Sequence, residues 1–149
     1  MVTALETEWT RPAFETQIGL EDFKNILRTR IETVVFKSYF TAGTLSATKT
    51  YDDLGREQYK IIIDSDDPEI EQAITLVHEI AHIHYKSPYA NLVIQLGVRK
   101  DEKEDKYEEF IEEETERFFA ENSDSIMQTL AFLHLADNVS KGHPFGVIS

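Results

Sequence analysis

The sequence predicts an α+β fold that is mostly helical and contains one short β-hairpin. Apolar residues recur every three or four positions in several long stretches, which is the spacing of an amphipathic helix. Between the first two of these stretches, residues 44–64 hold two strand-like segments around the turn cluster Asp52-Asp53-Leu54-Gly55. We therefore expect a hairpin that leads into a second helix.

Length, charge and cysteine content limit the classes of function. A chain of 149 residues is expected to form a single domain over 1–149, with residues 1–18 as an extended arm held by Trp9 and Phe14, or alternatively as a disordered tail. There is no cysteine, so a metal site would use His, Asp or Glu. The net charge of −13 argues against direct binding to nucleic acid or to an anionic membrane.

The N-terminus has no basic segment followed by an apolar one, as a signal peptide would have. No apolar run approaches the length of a membrane span. We expect an intracellular, cytoplasmic protein.

The first helical pattern begins at Leu20 and continues to about Phe36 or Tyr39. The hairpin strands are predicted at residues 44–51 and 58–64. The second of these contains the β-branched run Ile61-Ile62-Ile63, which is typical of a buried strand.

The second helix carries the segment His78-Glu79-Ile80-Ala81-His82. Asp67 is the predicted N-cap and Pro68 the first helical residue, while Ser87-Pro88 is predicted to end the helix because the residue before a proline avoids the α region. Beyond it, residues 89–98 are predicted to form a short helix capped by Gly97.

The His-Glu-x-x-His pattern predicts a zinc site. Histidines four residues apart lie one helical turn apart, so His78 and His82 can bind one ion. Glu79 lies to one side of the pair, where it can act as a general base. The alternative interpretation is that both histidines simply belong to the core of a buried helix.

A third ligand is predicted on the acidic helix that follows. Glu114 is the acidic residue on the apolar stripe of residues 107–119, and a lone carboxylate on an inward face is costly unless it is paired or binds metal. Glu114 is therefore the predicted zinc ligand, with Glu113 as the alternative. Asn122-Ser123-Asp124 is predicted to end or bend this helix, and Ser123 to cap a last one.

The His-Glu-x-x-His pattern is the helix signature of zinc peptidases, whose site also needs a group that stabilises the developing oxyanion. His84 lies two residues after His82 and is expected to point away from the metal. Five residues remain as candidates for the oxyanion role: Tyr85, Tyr89, Tyr107, His134 and His143.

Two blocks of the chain resemble the ImmA/IrrE family of zinc metallopeptidases. The first runs from Ile61-Ile62-Ile63-Asp64 to Thr75-Leu76-Val77-His78-Glu79-Ile80-Ala81-His82, and the second is Glu112-Glu113-Glu114-Thr115-Glu116-Arg117-Phe118-Phe119-Ala120. The resemblance covers about residues 58–121. The chain departs from the family's pattern at Ala81, Thr115 and Glu116.

The resemblance implies a small zincin-like domain in which Glu114 matches the family's metal-binding glutamate. It also implies a narrow-specificity endopeptidase that cuts a regulatory protein, such as a transcriptional repressor. Two alternatives remain, namely a zinc-binding regulatory domain that keeps this fold without proteolytic turnover, and a structural domain without metal.

Overall fold

A computed structural model describes residues 17–38, 47–51, 54–96 and 100–140. These residues form α1 (Leu20–Thr29), β1 (Ile31–Lys37), β2 (Ala47–Tyr51), β3 (Glu57–Asp64), α2 (Glu69–Leu96) and α3 (Lys100–Ser140). The fold is mixed and mostly helical, so the α+β prediction is confirmed. The predictions made for Gly97, for His143 and for residues 1–16 lie outside the described residues.

Helix α1 is shorter than its sequence pattern predicts. It begins after Gly19, whose backbone N–H donates to Asp22 Oδ2 at 2.9 Å, and it ends at Thr29. The prediction that it reaches Phe36 or Tyr39 is wrong, because residues 31–37 form strand β1. This segment is rich in β-branched residues, and pairing with a neighbouring strand overrides its helical spacing.

The three strands form one sheet in the order β1-β3-β2. Strands β2 and β3 are antiparallel, with Ala47 opposite Ile61, which confirms the predicted hairpin. Gly55, the last residue of the predicted turn cluster, has a φ of 77°, a conformation that glycine adopts without strain. Strand β1 pairs in parallel with the other edge of β3, an arrangement that the sequence analysis did not predict.

Helix α2 is the central element of the fold. It begins at Glu69, directly after Pro68, and its buried residues occur on several faces because it packs against α1, β3 and α3. The predicted end at Pro88 is wrong, since the backbone remains helical to Leu96. The separate helix predicted for residues 89–98 is therefore largely the last part of α2.

Helix α3 spans 41 residues and changes direction at Asn122, which has a φ of −132° and a ψ of 27°. The predicted bend is confirmed, because the non-helical backbone at Asn122 divides α3 into two helical segments, and the second begins next to Asn122, where the sequence predicts a last helix. The ring of Phe118 packs on Phe23 of α1 with the centroids 5.3 Å apart.

The core lies between the sheet, α1 and the two long helices. Its largest fully buried side chains are Tyr85, Phe23, Phe118, Ile18, Ile61, Ile63, Leu76, Ile80, Ile111, Ile126 and Leu130. Within the described part of the chain, no helix is both long enough and apolar enough to cross a membrane.

Candidate metal centre

The two motif histidines face the same point in space. The Nε2 atoms of His78 and His82 lie 3.1 Å apart, and the ring centroids are 4.7 Å apart with the planes at 72°. Both side chains are about one quarter exposed, at 27% and 25%. The pair therefore lies at the edge of the core, where an ion can reach it.

Glu108 of α3 supplies a carboxylate beside the pair. Its Oε2 atom lies 3.6 Å from His82 Nε2, and its Oε1 atom lies 3.9 Å from His78 Nε2. Among the described residues, His78, His82 and Glu108 are the group of three whose ligand atoms lie close enough together to hold one ion.

These distances fit a shared metal ion. Ligand atoms bound to a tetrahedral zinc at about 2.0–2.1 Å lie about 3.3 Å from one another. The two histidine nitrogens, at 3.1 Å, are already near that separation. The oxygens of Glu108, which is 53% exposed, lie slightly farther from these nitrogens, at 3.6 and 3.9 Å. The donor set of two imidazoles and one carboxylate is also one that catalytic zinc sites use.

The electrostatics favour the metal-binding form of His82. The pKa of His82 is lowered to about 4. Burial of the ring is the larger cause, and the charge of His78 is the smaller one. His82 is therefore a neutral imidazole near pH 7, and only the neutral ring can bind a metal. The approach of Glu108 to it is consequently not an ion pair at that pH.

The sequence-predicted ligand Glu114 lies elsewhere. It is 1% exposed, and its Oε1 atom accepts a hydrogen bond from the Tyr85 hydroxyl at 2.7 Å. Arg117 donates to the same oxygen from Nε at 3.1 Å and from Nη2 at 2.9 Å. The geometry favours Glu108 over Glu114 as the carboxylate closest to the histidines. Glu113, the alternative, is exposed and is not part of the group either.

The charge partner of Glu114 explains how a buried carboxylate is tolerated. Burial by itself would lower the pKa of Arg117, but the hydrogen bond and the charge of Glu114 outweigh it and raise that pKa. Arg117 also donates to the carbonyl of Ile18 at 2.9 Å. These contacts link α3 to α2 and to the segment before α1.

Glu79, the predicted general base, follows His78 on α2 and is 9% exposed. The role of general base predicted for it requires its carboxylate to reach a water molecule at the histidines. Its burial keeps the carboxylate largely away from bulk water.

The structure assigns several of the oxyanion candidates to other contacts. The Tyr85 hydroxyl accepts from the backbone N–H of Ile18 at 2.6 Å, and burial is the main cause that raises its pKa. His134 stacks on Phe36 at 3.8 Å and is hydrogen bonded to Gln72. His84 packs edge-on against Tyr85 and is outside the group of ligands. The side chain of Tyr89 and all of His143 lie outside the described residues.

Tyr107 makes direct contact with the centre. Its hydroxyl oxygen lies 3.2 Å from His82 Nδ1 and 3.2 Å from the carbonyl oxygen of His82. It thus faces the side of the ring opposite Nε2.

Sequence reasoning missed Glu108 because it searched for an acid on the buried stripe. The histidines are only partly buried, so their carboxylate partner belongs at the border between the apolar and polar faces of α3. The sequence did place Glu108 at such a border, because it directly follows Tyr107, a half-buried residue of that stripe.

Comparison with known proteins adds no further identification. No family model matches the chain, and neither a curated protein nor a solved structure shows significant similarity to it.

Proposed function

We propose that this chain is a zinc-dependent endopeptidase of narrow specificity. The observation that carries the proposal is the convergence of His78 Nε2, His82 Nε2 and the Glu108 carboxylate within 4.8 Å of one another. The two histidines from one helix and the glutamate from another supply three protein ligands, as in a catalytic zinc site that keeps one position open. Glu79, which lies between the histidines in the motif, is not one of the ligands.

The chain's own residues have distinct tasks in this proposal. His78, His82 and Glu108 hold the ion, which when bound lowers the pKa of a water molecule and polarises the scissile carbonyl. Glu79 accepts the proton from the attacking water and passes it to the leaving amine.

The substrate class follows from the resemblance to the ImmA/IrrE peptidases. It suggests a regulatory protein such as a transcriptional repressor, cut in the cytoplasm. The net charge of −13 supports a protein substrate over a nucleic acid.

The test combines elemental analysis with a cleavage assay. Purified wild type and Glu79→Gln are analysed for zinc by elemental mass spectrometry, and both are incubated with a proteome-derived peptide library whose new N-termini are identified by mass spectrometry. We expect about one zinc per chain in both proteins. Cleavage by Glu79→Gln should fall by about 10²- to 10⁴-fold. Wild type without zinc, even after zinc is added, would overturn the proposal.

A second candidate is a zinc-binding regulatory domain without proteolytic turnover. The low exposure of Glu79, 9%, favours it, because a general base must reach a water molecule at the metal. It predicts one zinc per chain and no difference between wild type and Glu79→Gln in the peptide library.

A further inference from the structure

Tyr107 contacts His82 on the side of the imidazole that the metal does not use. Its hydroxyl oxygen lies 3.2 Å from Nδ1 and 3.2 Å from the carbonyl oxygen of the same residue. The ring centroids of the two residues are 5.2 Å apart. One side chain of α3 therefore holds both the backbone and the ring of His82.

Both contacts can be hydrogen bonds at the same time in only one tautomer of His82. A carbonyl oxygen can only accept, so the single hydroxyl proton of Tyr107 is donated to the carbonyl of His82. The contact with Nδ1 is then a hydrogen bond only if Nδ1 carries a proton and donates it to the hydroxyl oxygen. In a neutral imidazole this leaves Nε2 with a free lone pair.

We infer that Tyr107 is a positioning residue that keeps His82 in its Nδ1–H tautomer and so directs the Nε2 lone pair towards His78 and Glu108. The inference rests on the metal site of the proposed function. Residues that hold a histidine ligand by its other nitrogen typically contribute 10- to 100-fold to metal affinity.

Glu108, the residue that follows Tyr107 on α3, also lies beside His82. Tyr107 and Glu108 are consecutive on α3, and both reach His82, one at Nδ1 and the other 3.6 Å from Nε2. The same turn of α3 thus orients the ligand of α2 and adds a carboxylate to it. The site therefore contains residues of both α2 and α3.

The first test uses metal-free wild-type protein, so it does not depend on zinc binding or on peptidase activity. Long-range ¹H–¹⁵N NMR of the histidine rings at about pH 8, above the ordinary histidine pKa of about 6.5, distinguishes the two neutral tautomers. We expect His82, assigned by its loss in His82→Gln, in the Nδ1–H form. In Tyr107→Phe this preference should be lost. A wild-type His82 mainly in the Nε2–H form would overturn the inference.

The second test measures zinc affinity by competition with a chromophoric chelator. Tyr107→Phe keeps the ring and removes the hydroxyl, and we expect its affinity to fall by about 10- to 100-fold. Tyr59→Phe is the matched control, because the Tyr59 hydroxyl donates to Glu57 and is not part of the site. It should bind zinc like wild type. Unchanged affinity in Tyr107→Phe would overturn the inference while leaving the metal site intact.

Discussion

Glu108 and Glu114 are carboxylates on the same helix with different surroundings. Glu108 is half exposed and faces two imidazole nitrogens, whereas Glu114 is buried and accepts bonds from Tyr85 and Arg117. A carboxylate already held by a guanidinium has less to gain from a metal, because binding would break existing charge-assisted hydrogen bonds.

This difference leads to the first prediction. Glu108→Gln should weaken zinc binding by about a hundredfold or more, since loss of a ligand exceeds the loss of an orienting neighbour. Glu114→Gln should stay within about threefold of wild type. Chelator competition on the two variants measures both effects. Zinc loss in Glu114→Gln with retention in Glu108→Gln would instead support the ligand predicted from the sequence.

The second prediction concerns Glu114 as the link between elements α2 and α3. Removing one member of a buried ion pair leaves the other uncompensated, so Glu114→Ala should lower the free energy of unfolding by about 3 kcal/mol. Glu113→Ala, at the exposed neighbouring position, should change it by about 0.5 kcal/mol or less. Urea denaturation of the metal-free proteins gives both values. A loss of under about 1 kcal/mol for Glu114→Ala would contradict a stabilising role.

The third prediction concerns strand β3, whose side chains alternate between the core and a half-covered face. Ile61 is 0% exposed, while its neighbour Ile62 is intermediate. Ile61→Ala should therefore cost about 2–5 kcal/mol through lost burial and a cavity. Ile62→Ala should cost about 1 kcal/mol. Equal losses in urea denaturation would mean that the strand is not oriented as described.

At the scale of the whole molecule, a bound ion would join the two long helices. The ligands come from α2 and α3, so the site is complete only when these helices are packed together. An ion that binds only the folded chain stabilises it by mass action. Metal binding and folding are therefore expected to be coupled.

The fourth prediction follows from this coupling. Free zinc at about 100 times its Kd should stabilise the folded chain by about 2.7 kcal/mol, which raises the Tm of a domain of this size by about 5–10 °C. Calorimetry or thermal fluorescence measures the shift. His78→Ala should abolish it, whereas His84→Ala, on the same helix but outside the group, should retain it. A shift that survives in His78→Ala would place the ion elsewhere.

Local patterns in the sequence were enough to predict the hairpin, the helix that carries the two histidines and the bend at Asn122. Each depends on residues close together in the chain, namely a turn cluster, a 3.6-residue period and a run of helix-breaking polar residues. The parallel pairing of β1 with β3 could not be read in this way. Its partners are distant in sequence, and the apolar spacing of residues 31–36 suits either structure.

The sequence by itself determined that His78 and His82 share one face of a helix, because helical geometry alone brings residues four apart together. Only the tertiary structure decided which carboxylate joins them. Several acids of α3 could reach the histidines as far as the sequence shows, and the choice among them depends on how far along α2 that helix packs. This packing places Tyr107 and Glu108 beside His82, and Glu114 with Tyr85 and Arg117.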